Sequence, residues 1–176
     1  MKKVIVGIGI PGSGKTTVLK SFAEKNAYVY VCPDDIREEL TGSAADQSRS
    51  REVWTEAYKR LQAQLMNGET VVFDATMANP DQRKQFLDFA RKNGAERIEG
   101  IVFDTPLETA TERNEQRDRK VPHDVMERMD NWIRTMPPEI GEGLDAIFTV
   151  DEEQKLKEVK VRGEDSVITK EFQRPH

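Results

Sequence analysis

Val4-Ile-Val-Gly-Ile-Gly-Ile-Pro-Gly-Ser-Gly-Lys-Thr-Thr17 is the stretch on which the reading of this chain turns. It opens as an apolar run of buried-strand length, becomes rich in glycine, and runs into Val18-Leu-Lys-Ser-Phe-Ala-Glu-Lys25, which has helical character. Gly9-Ile-Pro-Gly-Ser-Gly-Lys-Thr16 is therefore a phosphate-binding loop pattern in its required setting, between a strand and a helix. Gly9, Gly12 and Gly14 let the backbone curl until successive N–H groups face phosphate oxygens, and the helix starting near Lys15 adds its positive end. Lys15 is expected to reach the β- and γ-phosphates, and Thr16 to offer its hydroxyl to a magnesium ion that bridges them. Gly12, Ser13, Gly14, Lys15, Thr16 and Thr17 are accordingly the candidate contacts to ATP or another nucleoside triphosphate.

Outward from this loop, apolar runs recur at Val4–Ile8, Tyr28–Cys32, Thr70–Phe73, Ile98–Phe103 and Ala146–Val150, with helical periodicity between them. That alternation predicts an α/β fold: a parallel sheet of about five strands wrapped by helices. Ser48 to Met66 carries Val53, Trp54, Ala57, Leu61 and Leu65 at about one-turn spacing and stops at Asn67-Gly68. Asn79-Pro80, Thr105-Pro106 and Pro122 each open a further helix. Trp54 and Trp132 are read as packing residues. The chain divides into a domain over residues 1–150, with a lid near 111–122, and a charged extension over 151–176. In that extension Lys157–Val161 and Val167–Thr169 are expected to pair as a small hairpin.

Length and composition bound the possibilities. The chain has 176 residues, about one domain, and no apolar run long enough to span a bilayer. Met1-Lys-Lys-Val leads straight into the first strand, which leaves no room for a cleavable signal, so a cytoplasmic address is expected. Cys32 is the one cysteine and is read as core filling. Net charge is −5, but residues 139–176 hold ten acids and six bases, which leaves −1 for residues 1–138. A nearly neutral body excludes a protein that coats long duplexes by bulk charge; it leaves room for a local basic groove.

Three further stretches carry chemistry. Pro33-Asp-Asp-Ile-Arg37 follows the second strand and should lie at the carboxyl edge of the sheet, beside the phosphate loop. Asp34 or Asp35 can orient an acceptor hydroxyl and take its proton, Arg37 can hold the acceptor, and one of the two aspartates is expected to cap the following helix. Val71-Val-Phe-Asp74 is an apolar strand ending in an acid that can hold magnesium through water or pair with Arg37. Thr76, Asn79 and Arg83 face the same crevice, with Arg83 either an acceptor contact or a solvated cation. Arg113-Asn-Glu-Gln-Arg-Asp-Arg-Lys120 sets Arg113 and Arg117 one helical turn apart, placed to close over the triphosphate as a lid.

Taken together these blocks resemble the kinase domain of phage-type polynucleotide 5′-hydroxyl kinases, a branch of the P-loop phosphotransferases. The similarity runs from Met1 to about Trp132. It rests on Ile10-Pro-Gly-Ser-Gly-Lys-Thr-Thr17, Asp34-Asp-Ile-Arg37, Asp74 with Asn79-Pro80 and Arg83, Val102-Phe-Asp104, and Arg113-Asn-Glu-Gln-Arg117 continuing to Val121-Pro122. The resemblance implies Lys15 and Thr16 as phosphate and metal contacts, Asp34 as base, Arg37 on the acceptor's phosphate with Asp74 as its partner, and Arg113 and Arg117 as lid arginines. It implies γ-phosphate transfer from ATP, with Mg2+, to the 5′-hydroxyl end of DNA or RNA, with homo-oligomerisation left open. Asp74-Ala-Thr76 departs from the family's tighter Asp-Thr-Asn, and no Asp-x-Asp-x-Thr marks a phosphatase domain, so a kinase-only protein or fragment is expected. The competing readings are a small-molecule kinase of the same fold, a nucleotide-dependent switch, and a toxin-like kinase of a sugar nucleotide.

Overall fold

The protein is described by a computed structural model over residues 1–163. The opening strand β1 (Lys3–Ile8) leads through the phosphate loop into α1 (Lys15–Asn26). Then come β2 (Val29–Val31), α2 (Pro33–Thr41), α3 (Ser50–Met66), β3 (Val71–Asp74), α4 (Pro80–Lys92), β4 (Arg97–Phe103), α5 (Leu107–Glu115), α6 (His123–Thr135), β5 (Ala146–Val150) and β6 (Leu156–Val161). The five expected strands form the parallel part of one sheet, in the order β2-β3-β1-β4-β5, and β6 adds to its edge antiparallel to β5.

Strand β1 is central because its side chains are apolar in both directions. Val4, Val6 and Ile8 join Phe73, Phe86, Leu61 and Leu65 in the cluster under α3 and α4, while Ile5 joins Leu19, Ala23, Val72 and Ile101 under α1. A strand covered on both faces has no need of polar alternation, which is why its sequence reads as a continuous apolar run. Helix α3 turns Val53, Ala57, Leu61 and Leu65 inward at four-residue spacing. Helix α4 starts where Asn79 Oδ1 accepts the Asp81 amide at 2.9 Å, with Pro80 in its first turn.

From the central β1 the chain pairs with β3 on one side and β4 on the other, so the sheet reverses direction of growth there. Ligands of open α/β sheets sit in the crevice at the carboxyl ends of the strands beside such a reversal. The register puts Asp74 opposite Gly7, two residues before the phosphate loop begins.

Two local expectations change. Leu156–Val161 does pair, but with β5, and the expected partner Val167–Thr169 lies outside the described residues. Trp54 packs against Tyr58 and Phe73 as expected. Trp132 instead stays half-exposed on α6 with the Arg128 guanidinium 5.7 Å from its ring centre. Among the described residues no helix is long and apolar enough to cross a membrane.

Candidate active site at the phosphate loop

The loop is held by contacts that leave little freedom in its sequence. The Gly9 amide donates to the Thr76 carbonyl at 3.0 Å, and Thr105 Oγ1 donates to the Ser13 carbonyl at 3.2 Å. Gly12 has φ of 82°, and a β-carbon there would lie 2.3 Å from the Ala110 carbonyl oxygen, so both conformation and space demand glycine. Gly14, at φ of 85°, is the N-cap residue of α1, and the helix start at Lys15 aims its first amides into the loop.

Asp74 closes the floor of the site. It is 1% exposed; its Oδ1 lies 3.3 Å from Lys15 Nζ, and its Oδ2 accepts from Thr16 Oγ1 at 2.8 Å and from the Tyr30 hydroxyl. Burial first, then the neighbouring Asp74 carboxylate, push the Tyr30 hydroxyl far above its ordinary pKa, so Tyr30 is a neutral donor at any working pH. Arg37 does not pair with Asp74, as the resemblance implied. Its Nη1 donates to Asp34 Oδ1 at 2.8 Å, one helical turn away on α2, because both residues leave the same face of that helix.

Magnesium is implied by the fold, and the residues present fit it. The Thr16 hydroxyl and the Asp74 carboxylate already touch, both supply hard oxygen ligands, and Asp74 Oδ1 is buried without a hydrogen bond.

Helix α2 begins at Pro33 with Cys32 as its N-cap residue and no side-chain cap, so neither aspartate caps; both sit in the first turn, where the helix dipole favours them. Asp34 and Asp35 then diverge. Asp35 lies 3.8 Å from Lys20 of α1, and burial raises its carboxyl above the usual range against the lowering pull of that lysine. Asp34 receives two cations on one oxygen: Arg37 Nη1 at 2.8 Å and Arg119 Nη1 at 2.5 Å. Burial also pushes the Cys32 thiol up to about 11, which keeps it a protonated core group.

Of the two expected lid arginines, Arg113 lies against the phosphate loop, and the two are not arranged as one helical face. Helix α5 ends at Glu115, so Arg117 lies in the turn beyond it rather than above Arg113. Arg113 Nη1 reaches the Gly12 carbonyl at 3.5 Å and its Nη2 the Glu152 carbonyl at 3.3 Å. Arg117's guanidinium makes no hydrogen bond or ion pair with a described residue. Asn114, 1% exposed, donates to the Val121 carbonyl at 2.9 Å and accepts its amide at 3.1 Å, pinching residues 115–120 into a closed loop.

Arg83 is neither an acceptor contact nor a solvated cation. It is 1% exposed, with Nη1 on the Met77 and Ala78 carbonyls, Nη2 on the Met136 carbonyl, and Nε and Nη2 on the Glu142 carboxylate at 2.7–3.0 Å. It fastens the turn after Asp74, where Met77 has the left-handed φ of 49°. His123, at the start of α6, is exposed and pairs with Glu127.

Among the described residues, three buried side-chain polar atoms have no hydrogen-bond partner: Ser13 Oγ, Asp74 Oδ1 and Arg37 Nε. Native proteins pair nearly all such atoms. The three atoms lie on the phosphate loop, at the end of β3 and on α2.

These features define a kinase-type P-loop phosphotransferase fold. Residues 4–136 match the AAA domain family AAA_33, and the chain belongs to that family. It is 29% identical over 118 residues to the "Putative bifunctional polynucleotide phosphatase/kinase" of Acanthamoeba polyphaga mimivirus, across 66% of this chain and 24% of that protein. It is 25% identical over 167 residues to the L-seryl-tRNA(Sec) kinase of Methanococcus maripaludis, across 87% of this chain and 60% of the other. Among solved structures, one from the Pnkp1/Rnl/Hen1 complex superposes with a TM-score of 0.58 at 26% identity, over 64% of this chain and 38% of that one. The chain thus spans about a quarter of the first relative's length and under two thirds of the second's.

Proposed function

We propose that this chain transfers the γ-phosphate of ATP, or of another nucleoside triphosphate, to the 5′-hydroxyl end of DNA or RNA. The observation that carries the proposal is the buried Arg37 guanidinium, 5% exposed with an unpaired Nε, beside the half-open carboxylate of Asp34. A simple alcohol needs a base and an orienting contact; a buried guanidinium next to that base suits an acceptor that also carries a phosphate. A 5′-terminal nucleotide does, on its 3′ side. The name of the mimivirus relative, a polynucleotide phosphatase/kinase, supports a nucleic-acid acceptor.

In this reading the acceptor oxygen attacks the γ-phosphorus in line, the bond to the β,γ-bridging oxygen breaks, and the nucleoside diphosphate leaves. Asp34 receives the hydroxyl proton on the oxygen that the arginines leave free. Lys15, Arg113 and Arg117 carry the charge of the triphosphate. Thr16 and Asp74 would hold magnesium, which neutralises phosphate charge when bound.

A second reading has one specific support: the L-seryl-tRNA(Sec) kinase relative spans 87% of this chain. The same base and loop would then serve an alcohol that is not a nucleic-acid end. Incubation with γ-labelled ATP and magnesium separates the two, given a 5′-hydroxyl oligonucleotide, a nucleoside 3′-monophosphate, a plain nucleoside and a sugar as acceptors. The proposal expects label on the first two and little on the others. Label on the sugar or the nucleoside in preference hands the site to a small-molecule kinase.

A further inference from the structure

The tip of the lid loop reaches past the phosphate loop to the residue proposed as base. Arg119 Nη1 stands 2.5 Å from Asp34 Oδ1, the same oxygen that Arg37 Nη1 holds at 2.8 Å. The Arg119 side chain is only 23% exposed, so this is not a free surface pair. On the other shoulder of the same loop, Arg113 lies against the Gly12 carbonyl, and Asn114 locks the two shoulders together through Val121. The end of α5 and the loop that follows it therefore touch the phosphate loop with one arginine and Asp34 with another.

We propose that Arg119 is a positioning residue, which fixes Asp34 from the lid so that its second oxygen faces the acceptor hydroxyl. The inference rests on Asp34 serving an alcohol acceptor, as above, and not on that acceptor being a nucleic-acid end. Two guanidiniums on Oδ1 leave Oδ2 as the oxygen free to accept a proton, and they hold the carboxylate plane against rotation. The 42% exposure of the Asp34 side chain is what makes a second anchor necessary: Arg37 alone is buried at one end, and the carboxylate otherwise faces solvent. Because the anchor sits on the loop after α5, the base is held in this orientation only while that loop stays against Asp34.

The arrangement also admits the opposite sense, in which Arg119 masks Asp34 until an acceptor displaces it. The two senses predict opposite kinetics. The test is a double-mutant cycle of Arg119→Ala and Asp34→Asn, read in steady-state transfer to whichever alcohol the acceptor panel selects. Positioning predicts that Arg119→Ala lowers kcat about tenfold with KM for ATP unchanged. It also predicts that Arg119→Lys recovers part of the loss, and that adding Arg119→Ala to Asp34→Asn changes kcat less than twofold. A higher kcat in Arg119→Ala, or full additivity with Asp34→Asn, overturns it. Amide exchange supplies a readout that needs no acceptor: residues 115–121 should exchange faster in Arg119→Ala, in Asp34→Ala, and to the same extent in the double variant. Unchanged exchange there in both single variants refutes the tie. A failure of the acceptor proposal is distinct, since it shows in the wild-type protein as no label on an oligonucleotide.

Discussion

Asp34 and Asp35 are adjacent and chemically identical, yet their surroundings divide them. Asp34 is oriented by two arginines; Asp35 faces Lys20 and is partly desolvated. Asp34→Asn should therefore lower turnover on the order of a hundredfold with nucleotide affinity little changed, while Asp35→Asn keeps turnover near wild type. The larger loss in Asp35→Asn would reverse the assignment. Asp35 also gives a pH signature. Its carboxyl is raised in the folded state, so ionising it opposes folding, and this burden grows as pH rises through and above the usual value of 3.8. Asp35→Asn should then raise Tm at neutral pH, with the difference vanishing below about pH 4; equal differences at both pH values would contradict this. Tyr30 is the other residue of consequence. Its hydroxyl shares Asp74 Oδ2 with Thr16, so Tyr30→Phe should weaken the magnesium dependence of activity about tenfold or more, read as the half-saturating magnesium concentration. An unmoved magnesium titration would reduce Tyr30 to packing.

At the scale of elements, the strands and the phosphate loop were legible because their signals are local: apolar runs of strand length, and glycines at fixed spacing before Lys15-Thr16. What was not legible depends on contacts distant in sequence. Arg83 sits in α4 where a cation on a helix surface is the ordinary reading, and only the fold brings Glu142, 59 residues on, against it. The pairing of Arg37 with Asp34 rather than Asp74 follows from the one-turn spacing within α2, a signal present in the sequence but outweighed by the family pattern. Tyr30 and Arg119 carry no local signal of these contacts, because a tyrosine in a strand and an arginine in a charge run have many plainer uses. Arg117 does not share a helical face with Arg113 because α5 ends two residues before it. Arg83 gives this scale its test. Removing one partner of a buried ion pair destabilises by about 3–5 kcal/mol, so Arg83→Ala should cut unfolding free energy by that order in a denaturant titration. A stable variant with only a raised acceptor KM would return Arg83 to the acceptor site.

For the molecule as a whole, charge decides how an acceptor is held. Residues 1–138 carry a net −1, so long-range attraction for a polyanion is weak, and the cations that matter are those in the crevice. One to three phosphates neutralised on a single strand give a slope of roughly −1 to −2 in log affinity against log salt. Arg37→Ala should flatten that slope by nearly one unit and raise KM for an oligonucleotide more than for a nucleoside. A steep slope in the wild type would mean an extended binding track instead of a terminal one. Transfer to a terminal hydroxyl is tested by two oligonucleotides of one sequence, one ending in a 5′-hydroxyl and the other in a 5′-phosphate. With γ-labelled ATP and magnesium, label should appear only on the first, be released by a phosphatase, and fall about a hundredfold in rate with Asp34→Asn. Equal labelling of both strands, or of neither while a small alcohol is phosphorylated, would contradict it.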